Sequence, residues 1–403
     1  MWMILLVTLL AQTPDFTAQG LKALEDRQYD TAAALLTQAV AANPKDYAAH
    51  FNLALAYSLA GKDPQAIPEY KAVLDLQPGL YQAQLNLGIS LVSVKEAAAA
   101  IPYLQKAAAQ KPSEFRPALY LGEALLSGSR YTEALPVFST AITLDPNSAA
   151  AELGAGRAMA RGGARKTAES HYRRAAAIDP SYKDYWMELA SYYEENQERA
   201  EAIGLYKEFP NNPGALERMG VLMLETGDTA GAIRALEAAV SNSPTPANRV
   251  ALAQAYVKNQ QPGWAEPQVA KALETTPQDG DLRMFYGRLL RDEHKLPAAA
   301  REFSTVAQQQ PENVAAWSEL AGVEVSAEQY QPALSSLDHV RALHAETAGH
   351  LFLRAVVLEH LGLRKEALEA YNQFLTASEG KNPDQEFQAR QRVRILGTEL
   401  GKR

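Results

Sequence analysis

Seven histidines, two asparagines spaced 34 residues apart and a set of arginines are the residues of this 403-residue chain whose types could do chemistry. His339, His344, His350 and His360 crowd together near the C-terminal end. A helix offers a metal two ligands when they stand three or four residues apart, usually with a carboxylate nearby. These four are separated by 5, 6 and 10 residues, so the spacing predicts surface histidines and no metal. The stretch GAGRAMARGG, Gly154 to Gly163, has the glycine density of a phosphate loop, but no strand precedes it and no Gly-Lys-Ser/Thr ends it. No Gly-x-Ser-x-Gly, His-Glu-x-x-His or Ser/His/Asp grouping stands at a useful spacing. The sequence therefore predicts no enzyme and implies no cofactor. What remains is recognition chemistry. Asn52 and Asn86 each carry a donor and an acceptor, the pair that reads a peptide backbone whatever its side chains. Arg288 and Arg291, three apart on one helical face, suit a carboxylate.

The elements that must position these residues are helices. Alanine and leucine dominate, β-branched residues are few and no alternating pattern recurs, so the class is all-α. Proline recurs at 44, 78, 112, 146 and 180 and then at 213, 244, 277 and 311, in steps of 34 or slightly fewer residues. A fixed period of this size marks a repeat array. With the closing proline counted as position 32, position 8 is small in every unit, from Gly20 to Ala355. Position 20 is alanine from Ala32 to Ala367, and position 24 is large and apolar from Leu36 to Tyr371. Each unit reads as two helices that cannot bury their apolar faces alone. Positions 8 and 20 are expected to meet at the crossing of the pair, with position 24 filling the gap toward the next unit.

In this register the chain resembles the tetratricopeptide repeat, of bacterial type, over eleven units in residues 13–379. The resemblance implies a right-handed superhelical α-solenoid with a concave groove lined by the first helix of each unit at positions 2, 5, 6, 9, 12 and 13. Asn52 and Asn86 fall at position 6 of adjacent units, similar to the asparagine ladder of O-GlcNAc transferases, but Tyr120 and Gly154 follow them and the ladder has two rungs. The carboxylate clamp of co-chaperone repeats needs Lys at position 5, which never occurs. Further along, Arg157, Arg161, Glu194, Glu195, Glu217, Arg218, Arg288 and Arg291 make the groove charged, either as a solvated wall or as a dedicated site. The function implied is a non-enzymatic scaffold holding an extended peptide or partner protein in the groove, with Asn52, Asn86, Arg157, Arg288 and Arg291 as candidate contacts. The alternative is a regulatory or substrate-recruiting subunit of an enzyme complex such as a glycosyltransferase. Members of that kind carry a separate catalytic domain, and only about 20 residues follow the last unit, fewer than a domain needs.

Composition bounds the partners further. Net charge is -8 with both signs interspersed, which argues against a nucleic-acid surface. There is no cysteine, which removes disulfides, thiolate zinc and cysteine nucleophiles. Met1 to Ala11, MWMILLVTLLA, is too short to span a bilayer, which needs about 20 apolar residues, so no integral membrane span is expected. Its length suits a truncated signal peptide over residues 1–12 whose charged beginning lies upstream of Met1. Export to the periplasm or cell envelope is the expectation, with a cytoplasmic protein as the alternative. Pro68, Pro102, Pro136 and Pro267, all at position 22, are placed in the first turn of a second helix, where proline is tolerated. Pro210 should shorten the second helix of unit six and disturb the array at Phe209 to Pro213. Unit ten has Ala345 in place of its proline. Residues 380–403 are read as a capping helix with Phe387, Ala389, Val393, Leu396 and Leu400 in one stripe and Arg390, Arg392 and Arg394 opposite.

Overall fold

Two kinds of punctuation cut this alanine- and leucine-rich chain into helices. The first is the closing proline. Clash with the proline ring drives the preceding residue out of the helical region, and Asn43, Gln77, Lys111, Asp145, Asp179, Ser243, Thr276 and Gln310 all end their helices with φ between -128° and -151°. The second is a left-handed residue at position 15, found in every unit. It is glycine at Gly61, Gly163, Gly227 and Gly362, but Arg27, Lys95, Ser129, Gln197, Gln260, His294 and Glu328 adopt the same positive φ. Each non-glycine residue there costs roughly 1 kcal/mol. Unit ten, which has no closing proline, ends its second helix on a left-handed His344 instead.

The computed structural model describes residues 15–401. The apolar Met1 to Ala11 stretch, and the export signal expected in it, lie outside the described residues. The described residues fold into helical hairpins that form two compact units, one through Leu205 and one from Tyr206 onward. In the N-terminal unit the first helices are α1 (Phe16–Glu25), α3 (Tyr47–Leu59), α5 (Tyr81–Ser93), α7 (Phe115–Ser127), α9 (Ala149–Arg161) and α11 (Trp186–Glu195). They alternate with the second helices α2 (Tyr29–Ala42), α4 (Asp63–Leu76), α6 (Ala97–Gln110), α8 (Tyr131–Leu144), α10 (Arg165–Ile178) and α12 (Arg199–Tyr206). In the C-terminal unit the first helices are α13 (Pro213–Thr226), α15 (Pro246–Lys258), α17 (Gly280–Asp292), α19 (Val314–Ser326) and α21 (Ala348–His360). Their partners are α14 (Thr229–Asn242), α16 (Pro262–Thr275), α18 (Leu296–Gln309), α20 (Tyr330–Ala342) and α22 (Arg364–Ser378), and α23 (Pro383–Gly401) follows. Many first helices start on a side-chain cap: Asp15, Asp46, Ser148, Asn212, Thr245, Asp279, Asn313 and Thr347 each accept a backbone N–H of the first turn.

Within each unit, second helices such as α2, α4, α6, α8, α14, α16, α18 and α20 pack on the first helix of the next hairpin as well as on their own, which is the all-α solenoid expected. The position-20 alanines are all 0% exposed, and the position-24 side chains are buried throughout. The contact between them differs from the expectation. A Cβ built on Gly20, Gly88, Gly122, Gly156, Gly220 or Gly287 meets the position-24 side chain of its own hairpin at 2.4–2.9 Å. Position 8 is therefore small because the side chain at 24 lies over it, not because of the alanine at 20. Phe138 does this twice: Cβ atoms on Gly122 of α7 and Gly154 of α9 would lie 2.7 and 2.3 Å from its ring.

Three further placements correct or sharpen the sequence reading. Pro68, Pro102, Pro136 and Pro267 are each the sixth residue of their helix, not part of the first turn, so each removes one i→i−4 bond that the helix would otherwise make. The second helix of hairpin six, α12, has 8 residues where most of its counterparts have 14. It stops at Tyr206, ahead of Pro210, and α11 is preceded by a 3₁₀ segment, Pro180–Tyr185, that the period did not reveal. In α23, Ala389 and Leu396 are buried and Val393 and Leu400 partly so, but Phe387 is 66% exposed. At about 100° per residue Phe387 stands well away from Ala389 around the helix, and Glu386 takes the buried place instead.

Candidate functional site

The first helices form a wall in each unit. In the N-terminal unit α1 touches α3, α5 touches α7, α7 touches α9 and α9 touches α11. Ser58 and Ser90 join α3 to α5 through a 3.2 Å hydroxyl contact. Phe51, Leu55, Ile89 and Val92 are half-buried on the outward positions of α3 and α5, and Leu59 is 49% exposed. Asn52 and Asn86 are half-buried among them. The Asn52 amide has no hydrogen-bond partner among the described residues. Asn86 bears on the Tyr70 hydroxyl, which the Ser58 hydroxyl also approaches at 3.4 Å. Burial pushes the Tyr70 phenol up, against these bonds. The two asparagines predicted as a pair thus differ: one amide is open and one is partly committed.

Farther along the same unit, wall charges are matched internally. Arg157 donates from Nε at 3.0 Å and from Nη2 at 2.6 Å to Glu188 of the next hairpin, 31 residues on. Its guanidinium lies 4.6 Å from the Tyr185 ring centroid. Tyr192 donates to Glu188 at 2.8 Å and accepts from Arg161 at 2.6 Å. Beneath them the Tyr172 hydroxyl is buried without a hydrogen-bond partner among the described residues. At the same position, Tyr70 has Ser58 and Tyr371 has Glu359 as partner on its own first helix, whereas the matching residue here is Ala160. Burial drives the Tyr172 phenol far above its ordinary value. Glu123 on α7 is half-buried and makes no hydrogen bond or ion pair among the described residues. Burial pushes its carboxyl up, with Arg157 pulling the other way.

In the C-terminal unit Arg288 and Arg291 do converge on a carboxylate, and it belongs to this chain. Arg288 donates to Glu319 at 2.8 Å, Arg291 pairs with the same Glu319, and Arg291 also holds Asp292 at 2.9 Å. The separation of Arg288 from Glu319 is again 31 residues. Position-9 arginine bonding to position-6 glutamate of the following hairpin is thus a repeated feature. A signal for it stood in the sequence, since both pairs share one offset.

Histidines serve the scaffold. His50 is buried, with Nδ1 2.5 Å from Glu69 and Nε2 3.1 Å from the Pro44 carbonyl. His171 and Glu152 repeat the first pairing at 2.7 Å with acid and base exchanged between the two positions. Gln84, Arg283 and Trp317 stand where His50 does, and each donates to the carbonyl of the proline six residues before it, Pro78, Pro277 and Pro311, at 3.0–3.1 Å. His339 stacks on Trp317 at 3.9 Å and His360 on Tyr330 at 4.2 Å. His350 closes a capping box with Thr347, and burial pushes its imidazole down. No group of three or more His, Asp or Glu is arranged to hold a metal among the described residues, and no described helix is long and apolar enough to cross a membrane. On α23, Arg392 pairs with Glu359 and Arg390 lies 3.5 Å from Glu386. A cavity of about 760 Å³ lies between α21, α22 and α23, lined by Phe352, Val356, His360, Tyr371 and Phe387 among others.

Tetratricopeptide repeat models match residues 17–81, 85–149, 121–183, 250–313 and 319–382, and a second such model matches 215–245. No curated protein sequence matches the chain. Solved structures that overlap it include MamA MSR-1, 24% identical over 41% of this chain and 95% of that one, TM-score 0.39. MamA 41-end from Desulfovibrio magneticus RS-1 is 21% identical over 41% and 94%, TM-score 0.39. MamA AMB-1 is 25% identical over 41% and 99%, TM-score 0.39. No functional weight rests on overlaps with TM-scores this low.

Proposed function

This chain belongs to the tetratricopeptide repeat family, and on that premise we propose that it is a protein-interaction scaffold whose N-terminal unit holds an extended segment of a partner protein along its first-helix wall. Repeats of this family support protein partners. The observation that carries the finer reading is the contrast within the wall of that unit. Its charged positions are largely matched to each other, while hairpins two and three present Phe51, Leu55, Leu59, Ile89 and Val92 beside an Asn52 amide that nothing among the described residues satisfies. Apolar surface gains about 25 cal/mol per Å² when covered. An amide with free donor and acceptor adds directional bonds to a peptide backbone. Arg157, Arg288 and Arg291 are secondary in this reading, because a partner carboxylate would have to displace Glu188 or Glu319.

In-cell crosslinking from a photoreactive residue at position 86, followed by mass spectrometry, tests the reading. A small set of protein adducts is expected from position 86, with none from a control at Lys106, exposed on a second helix. Equal adducts at both positions, or none at 86, would refute it. The cell envelope is the compartment proposed for this binding, and only the Met1 to Ala11 stretch supports it. Fractionation of the native gene product tests that separately.

A further inference from the structure

Two ion pairs set a register of rungs across the wall: position 9 of one hairpin meets position 6 of the next in Arg157–Glu188 and in Arg288–Glu319. By that register the corresponding positions of the N-terminal unit are Leu21 and Asn52, Leu55 and Asn86, Ile89 and Tyr120, and Glu123 and Gly154. Where position 9 is Arg157 or Arg288, position 6 supplies the opposite charge, Glu188 or Glu319. Where it is Glu123, position 6 is Gly154, which has no side chain to offer. Phe138 dictates that glycine, since a Cβ there would lie 2.3 Å from its ring. Glu123 is thus the charged half of a rung whose other half the fold forbids. Arg157, engaged by Glu188, acts on Glu123 only through space, and no ion pair or hydrogen bond reaches Glu123 among the described residues. Half-buried tyrosines stand close by. Tyr120 is one turn earlier on α7, and Tyr182 is near enough to feel the charges of both Glu123 and Arg157. A carboxylate beside aromatic rings suits a cation.

We propose that Glu123 receives the ammonium or guanidinium of a lysine or arginine in the partner segment, which supplies the missing half of the rung. This rests on the wall reading above and deepens it by naming the partner's chemistry. The three rungs before Glu123 are apolar or amide-bearing, so the segment carries apolar side chains on one side of its cation. Packed helices lie about 8–10 Å apart and an extended chain rises about 3.3 Å per residue. Successive rungs therefore engage about every third residue, and the cation stands about three residues from the nearest apolar anchor.

Selection of phage-displayed random linear dodecapeptides on the purified full chain, in parallel with Glu123→Gln, tests this. Wild type is expected to enrich a Lys or Arg about three residues from an apolar position, and Glu123→Gln to lose that preference. The best synthetic peptide is expected to bind Glu123→Gln about tenfold more weakly. Replacing its Lys or Arg by norleucine should have the same effect, and Glu123→Lys should prefer the peptide in which that residue is Glu. Circular dichroism melts confirm that the variants fold. An enriched motif without a basic residue, or equal affinity of wild type and Glu123→Gln, overturns the role of Glu123 and leaves the wall reading standing. Recovery of no sequence-dependent binder by either protein overturns both.

Discussion

Gly154→Ala and Gly322→Ala are the same substitution inside a first helix, and the structure assigns them opposite signs. Gly322 lies within α19, and a Cβ there meets nothing within 4 Å. Alanine gains on helix propensity alone, about 0.5–1 kcal/mol of stabilisation. At Gly154 the same gain meets a methyl placed 2.3 Å from Cε1 and 2.4 Å from Cζ of Phe138. Phe138 is 0% exposed and also lies over Gly122, where a Cβ would come within 2.7 Å of it, so the ring has little room to retreat. Overpacking of this kind costs about 1–3 kcal/mol, and a gap of more than an ångström belongs at the upper end. The net expectation is destabilisation by about 2 kcal/mol. Repeat arrays need not unfold in one step, so hydrogen exchange in peptides covering Ala149–Arg161 and Val314–Ser326 is the assay to set beside urea melts. Repeating Gly154→Ala in a Phe138→Ala background removes the clash, and the substitution should then stabilise as at Gly322, a coupling read from the double-mutant cycle. If Gly154→Ala stabilises the wild-type protein, the wedge does not exist and helix propensity alone governs the site.

Three other perturbations follow from the same geometry. Arg354 is 3% exposed and donates to Glu346 at 3.0 Å and Asp338 at 2.6 Å. Glu346→Gln leaves that guanidinium buried and half-paired, and should cost about 3 kcal/mol in urea melts of the C-terminal unit. Glu188→Gln should cost about 1 kcal/mol, because Arg157 is only half-exposed, while Arg288→Gln at the more open rung should cost less than about 0.5 kcal/mol. For pH, the Ser378 hydroxyl, the Gly380 N–H and Arg390 hold the Glu386 carboxyl below its ordinary 4.5. A depressed carboxylate contributes stability above its unfolded value and loses it as pH falls through the folded one. Thermal melts of Glu386→Gln should therefore lie below wild type at pH 7 and converge with it as pH falls through the lowered folded value.

The recurring prolines, the small residue at 8, the alanine at 20 and the bulky side chain at 24 already contained the hairpins, their number and their buried faces. Those features repeat at a fixed period, and periodic burial is a local property of helices that a linear text can display. The left-handed turn at position 15 was hidden, because arginine, lysine, glutamine or glutamate there pays a small strain that the neighbouring hairpin bonds hold in place. The turn position of the prolines depended on where each second helix starts to the residue, which the repeat period does not state. The candidate site was legible in kind and not in state. Asn52, Asn86, Arg157, Arg288 and Arg291 were singled out for what their side chains can bond, yet whether Arg157 or Arg288 is free depends on a side chain 31 residues away, brought opposite only when one hairpin stacks on the next. Stacking gave Arg157 and Arg288 their glutamates and left Asn52 open. It also put a glycine at the position that matches Glu123 in this register, because the ring of Phe138 fills the place where a side chain at Gly154 would begin.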